Sequence, residues 1–265
     1  KFDPSPEYVN FLFWLRDRYG KDVAKLNAAW QTDVTDFLAI PRSLIDEKQL
    51  EGVYAPSIDM QTYLEDAFVQ QAKAIADGVH GVDPTIGMGF GASTLGNTFC
   101  ESIKYLDSVC PYAGSSDIEM LRGQKHKLIG ECIGIYGGRN VPLAMRRNQV
   151  WHGLLTGCNF SWFWASCYNY GDGSVDAGRY GAMMETYREV KRGPAALLLR
   201  SQRDNYGIRI MVSRDSAHMN PLVAEMGAHG AGFAQFIESL GLQYDSITQE
   251  QVAKGVLASA KGKVL

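Results

Sequence analysis

Along the chain, stretches with apolar residues every three or four positions alternate with short runs of consecutive apolar residues. The first rhythm marks helices with one buried face, the second strands buried on both faces. Ser5-Pro6-Glu7 supplies an N-cap, a first-turn proline and a first-turn acid, so a helix opens there, runs to about Tyr19 and stops at Gly20. It is rich in Phe11, Phe13, Trp14 and Leu15, and residues 23–30 read as a second, shorter helix. Residues 31–57 have weak periodicity and read as a long irregular excursion. Asp59 reads as the cap of a third helix to about Val79, with Leu64, Phe68, Ala72, Ile75 and Val79 on its apolar face.

From residue 85 the two rhythms interleave. Residues 85–90 (TIGMGF), 107–112 (DSVCPY), 128–131 (LIGE) and 159–165 (NFSWFWA) read as strands, with helices between them. Ser115-Ser116-Asp117 starts one helix, and Pro142 starts another that carries Leu143, Val150, Trp151, Leu154 and Leu155 inward until Gly157. Strands separated by crossover helices predict a parallel sheet. The predicted class is α/β, as the C-terminal half of a (β/α)8 TIM barrel. In such a barrel the C-terminal ends of the strands carry the chemistry. Ser93, Tyr112, Glu131, Trp162 and Trp164 fall at or near such ends.

After Arg203 the texture changes: a strand at 206–213, a helix marked by Phe233, Phe236, Ile237 and Leu240, a strand at 244–247, and another begun at Lys263. Residues 203–265 therefore read as the start of a doubly wound α/β domain of flavodoxin type, and 1–202 as the barrel portion. Neither GxGxxG nor a P-loop occurs, so no nucleotide cofactor is called for. Both chain ends read as cuts through a longer protein.

Composition narrows the function. The 265 residues are 46% hydrophobic and 21% charged, an ordinary globular balance with a net charge of −3. There is no basic block for nucleic acid or an anionic membrane, and no apolar run long enough to span a bilayer. Cys100, Cys110, Cys132, Cys158 and Cys167 form no CxxC pair, and the histidines lack ligand spacing, so no metal is expected. Buried free thiols favour a reducing, cytoplasmic setting.

Glu131 is the most informative position, because an acid in an apolar run is costly to bury unless it is paired. One reading is a structural carboxylate. The other is sugar chemistry, in which aromatic rings offer flat platforms for the C–H faces of a sugar. A retaining glycosidase uses two carboxyl groups about 5 Å apart, one as nucleophile and one as acid/base. On that reading Glu131 is the nucleophile, and Trp162, Trp164, Tyr112 and Ser93 are substrate-side candidates.

The run SPEYVNFLFWLRDRYGKDVAKLNAAWQT resembles the segment after the fourth barrel strand in glycoside hydrolase family 42 β-galactosidases, F-x-x-W-L-x-x-(K/R)-Y-G followed by L-N-x-A-W-x-T. Phe11, Trp14, Leu15, Arg18, Tyr19, Gly20, Leu26, Asn27, Ala29, Trp30 and Thr32 match it. The tail FAQFIESLGLQYDSITQEQVAKGVL is similar to that family's amidotransferase-like trimerisation domain. The resemblance implies a retaining β-glycosidase with Glu131 as nucleophile at the end of strand seven and its acid/base glutamate upstream of Lys1. It further implies a carbohydrate substrate and a homo-oligomer, trimer or dimer. The alternative is a catalytically inactive carbohydrate-binding or assembly module on the same fold.

Overall fold

The computed structural model describes residues 5–91, 101, 103–112, 115–123, 128–133, 142–163, 172, 174, 177–202, 204, 206–219 and 229–258. The chain divides into two compact units, one of Lys1–Lys73 with Ser213–Ala228, the other of Ala74–Val212 with His229–Leu265.

The first unit is helical. Helix α1 (Pro6–Arg18) starts as its sequence dictates: Ser5 Oγ accepts from the Tyr8 N–H, and Pro6 occupies the first turn. Its buried residues Tyr8, Phe11, Leu12 and Leu15 are spaced as one helix face. Gly20, at φ 64°, turns the chain towards α2 (Val23–Trp30), which Asp22 caps. These helices close over a core of Tyr8, Phe11, Leu12, Leu15, Leu26, Trp30, Phe37, Ile40 and Ile45. Each such large side chain contributes roughly 1.5–3 kcal/mol on burial.

Residues 31–57 are more ordered than their weak periodicity predicts. They hold a 3-10 turn at Phe37–Ala39 and helix α3 (Ser43–Leu50), and Phe37, Ile40 and Ile45 plug the core one at a time. Single plugs leave no period to read. Helix α4 spans Ala55–Val82, so Asp59 lies within it and is not its cap. The buried stripe is also shifted: Val69, Ala72 and Ala76 are buried, whereas Leu64 and Ile75 are more than half exposed.

In the second unit, β1 (Gly89–Gly91), β2 (Ser108–Cys110), β3 (Leu128–Ile133) and β4 (Phe160–Phe163) form a parallel sheet in sequential order. Helices α5 (Ser115–Gly123) and α6 (Leu143–Thr156) are the β2–β3 and β3–β4 crossovers. Helices α7 (Ala177–Lys191) and α8 (Pro194–Leu198) follow β4. Ile133 of β3 packs with Val150 and Leu154 of α6 and with Met183 and Val190 of α7. Leu155, expected inward, is 58% exposed.

The sheet is curled. Three strand spacings would set β1 and β4 about 14 Å apart if it were flat. Yet the Trp162 ring of β4 stands 3.1 Å from where a Cβ on Gly91 of β1 would lie.

Strands β5 (Arg209–Val212) and β6 (Asp245–Thr248) pair in parallel through α10 (His229–Ser239), after the short α9 (Arg214–Met219). Helix α11 (Gln249–Ala253) opens with a capping box between Thr248 and Gln251. Strand β6 packs onto α5, where a Cβ on Gly123 would stand 2.5 Å from Ser246 Oγ. The Arg122 guanidinium donates to the Thr156 and Tyr244 carbonyls at 3.3 and 3.2 Å. These contacts put β6 in the same compact unit as the four-stranded sheet. The strand expected at Lys263–Leu265 lies outside the described residues.

Candidate functional site

Register fixes which side chains share a face. Gly91, Cys110, Gly130 and Phe160 are aligned across the sheet, and Tyr112, Cys132 and Trp162 form the next row towards the strand ends. In a parallel sheet, aligned residues point the same way and alternate residues point oppositely. The Trp162 ring lies over Gly91, so this set lines the concave face. Glycine is needed at Gly130, where a Cβ would stand 2.4 Å from the Phe160 ring. Trp162 is 41% exposed.

Cys110 and Cys132 are buried on this face. Burial first, then Cys132 and Glu131 nearby, pushes the Cys110 thiol up to about 12. It is an inert thiol rather than a nucleophile. Tyr112 is half-buried and bridges to Cys132.

Glu131 lies on the opposite face. It pairs with Ser161 and shares strand parity with Ile129 and Ile133. It is 1% exposed. A Cβ on Gly153 of α6 would come 2.2 Å from the Glu131 carboxyl carbon, so the carboxyl rests on bare helix backbone. Its Oε2 has no hydrogen-bond partner among the described residues. Burial alone pushes its pKa up to about 8, so it is a neutral acid at pH 7. The neighbouring Cys158 thiol is also pushed up, by burial first and then by Glu131.

Strand β3 continues two residues past Glu131, so the carboxyl is not at the strand end. The sequence expectation is thus corrected in position: Glu131 projects between sheet and helix and not beside Trp162. The cause is the two-residue alternation of a strand. Trp162 is aligned with Cys132, and Glu131 precedes Cys132 by one residue. Trp164 and Ser93 lie outside the described residues. Among the described residues, no group of three or more His, Cys, Asp or Glu could hold a metal ion, and no helix is long and apolar enough to cross a membrane.

The polar constellation that sequence reasoning missed is in the first unit. Asp59, 3% exposed, accepts from the Tyr19 hydroxyl and from Trp30 Nε1–H, both at 2.8 Å, and pairs with Arg18 Nε at 2.9 Å. Its oxygens thereby gain the partners that a buried carboxylate requires. Burial, then the Asp59 charge, pushes the Tyr19 phenol well above its ordinary value. Arg18, Tyr19 and Trp30 are three of the residues in the sequence motif. The motif is therefore legible as a clamp on one carboxylate, and the polar ends of those three side chains were the available signal.

The fold defines an α/β protein with a curled parallel sheet in sequential strand order. It is similar to the β-galactosidase from the psychrophilic Marinomonas ef1, with a TM-score of 0.65 and 13% sequence identity over 91% of this chain. The likeness covers 46% of that chain, so this sequence spans about half the length of its structural relative. No family model matches the chain, and no curated protein matches its sequence.

Proposed function

We propose that this chain recognises carbohydrate on a β-galactosidase-like scaffold and is part of a protein acting on terminal β-linked sugars. The observation that carries the reading is the exposed indole of Trp162 on the concave face, with Tyr112 in the same row. Such a ring supplies a flat apolar platform with one polar edge, which suits a pyranose face. Titration of the full chain with a β-galactoside, followed by tryptophan fluorescence, tests it. Trp162→Ala should weaken binding about tenfold or more; unchanged affinity would remove Trp162 from the site.

For the chemistry, retaining hydrolysis with Glu131 as nucleophile comes from the resemblance to family 42 enzymes. A nucleophilic carboxylate must be ionised and must face the anomeric carbon. The burial of Glu131 against Gly153 favours the second reading, a carbohydrate-binding or assembly module in which Glu131 does no chemistry. A 2-fluoro-glycoside separates the two in the complete protein. A covalent adduct on Glu131, with turnover lost in Glu131→Gln, establishes the nucleophile. Undiminished turnover in that variant eliminates it. A dimer or trimer belongs to the same proposal, and sedimentation of the complete protein tests it.

A further inference from the structure

Helix α9 is bound to the first unit in an unusual way. It has six residues, too few for a stable helix alone, so its conformation depends on what it docks against. Its one buried residue is His218, and it buries no large apolar side chain. Hydrophobic burial therefore holds it weakly. Arg214 makes the ionic contacts with α4, Nε to Glu65 Oε2 at 2.7 Å and Nη2 to Asp66 Oδ1 at 3.1 Å, and His218 Nε2 lies 2.9 Å from Glu65 Oε1. Arg214 Nη2 also donates to the Thr62 carbonyl at 3.5 Å.

Both acids belong to α4, on the stretch that packs in the first unit. Asp66 is shared, because its Oδ2 accepts from Trp14 Nε1–H at 3.2 Å. The Arg18 guanidinium lies 5.1 Å over the Trp14 ring and binds Asp59 with its Nε. The charged groups around the contact are thus Glu65, Asp66 and Asp59 from α4, Arg18 from α1, and Arg214, Asp215 and His218 from α9 itself.

We propose that α9 is a charge-gated clasp: it stays docked on α4 while Glu65 and Asp66 are ionised, and lifts off, with the rest of the first unit folded, when that charge is removed. The core of Phe11, Leu12, Leu15, Leu26 and Trp30 does not include α9, so it survives release. Burial acts to raise the Glu65 pKa, but the bonds and charges of His218 and Arg214 together outweigh it and hold it below the ordinary value. A lowered carboxyl pKa contributes attachment that is full above the unfolded value of 4.5 and is lost as pH falls through the lowered folded value. The gate therefore opens in acid.

Hydrogen–deuterium exchange on the full chain at pH 7 is the test. In Glu65→Gln, amides at Ala217–Met219 should exchange at least about tenfold faster, while those of Phe11–Leu15 keep their protection. Arg214→Met removes the opposite partner and should give the same local change. Unaltered exchange in α9 overturns the clasp, since apolar packing would then hold it. Loss of protection in α1 together with α9 also overturns it, because the ion pairs would then belong to the core. Disagreement between the two variants has the same consequence.

Discussion

Replacing Glu131 with glutamine keeps the shape of the side chain and removes its proton equilibrium. In the folded protein the carboxyl is 1% exposed and titrates at about 8, against 4.5 when solvated, with burial as the cause. The unfolded chain therefore ionises first. Between pH 4.5 and 8 the folded state holds one proton more, so stability falls as pH rises, by about 1.4 kcal/mol per unit. At pH 7 the accumulated penalty is at most about 3 kcal/mol, and above pH 8 the curve is flat. Glutamine carries no such slope, although its amide still meets the apolar layer beside Gly153. Urea unfolding of both proteins at half-unit steps from pH 5 to 9 reads the difference directly. The wild-type curve should descend relative to the variant and level off near pH 8. A constant difference between the two curves from pH 5 to 8 would refute the burial argument. It would mean that the carboxyl is solvated or paired and ionises as it does in water, the state that a nucleophile at a barrel mouth requires.

Other substitutions probe the same framework. Gly153→Ala places a methyl where the Glu131 carboxyl lies and should cost about 1–3 kcal/mol; combined with Glu131→Ala the cost should largely vanish, and additive effects in thermal unfolding would contradict that contact. Gly130→Ala drives a Cβ into the Phe160 ring and should cost a similar amount, without altering the pH profile. Asp59→Asn withdraws the charge from Arg18 while keeping the shape, and should cost about 3 kcal/mol with a lower melting temperature; an unchanged melting temperature would show that the clamp is dispensable.

Much of the architecture was written in local sequence signals. Ser5-Pro6, Gly20 and Gly157 marked helix ends that the structure keeps, because caps and left-handed turns act over a few bonds. The alternation of apolar runs with helical spacing forecast the parallel strands at 108, 128 and 160, because burial on both faces demands such runs. The type of these elements was legible for the same reason, their bounds less so: β1 spans Gly89–Gly91 and α4 Ala55–Val82.

The tertiary structure decided what depends on pairing. Which face a strand residue takes is set by register with its neighbours, and a one-residue difference reverses it. Trp162 and Glu131, side by side in the sequence-level picture of a sugar site, are separated in this way onto opposite faces of one sheet. Likewise, Asp59 looked like a helix cap until Arg18, Tyr19 and Trp30 converged on it from 29 to 41 residues away along the chain. Periodicity reports a residue's environment one element at a time, whereas the partner of a buried charge is chosen only when distant elements pack.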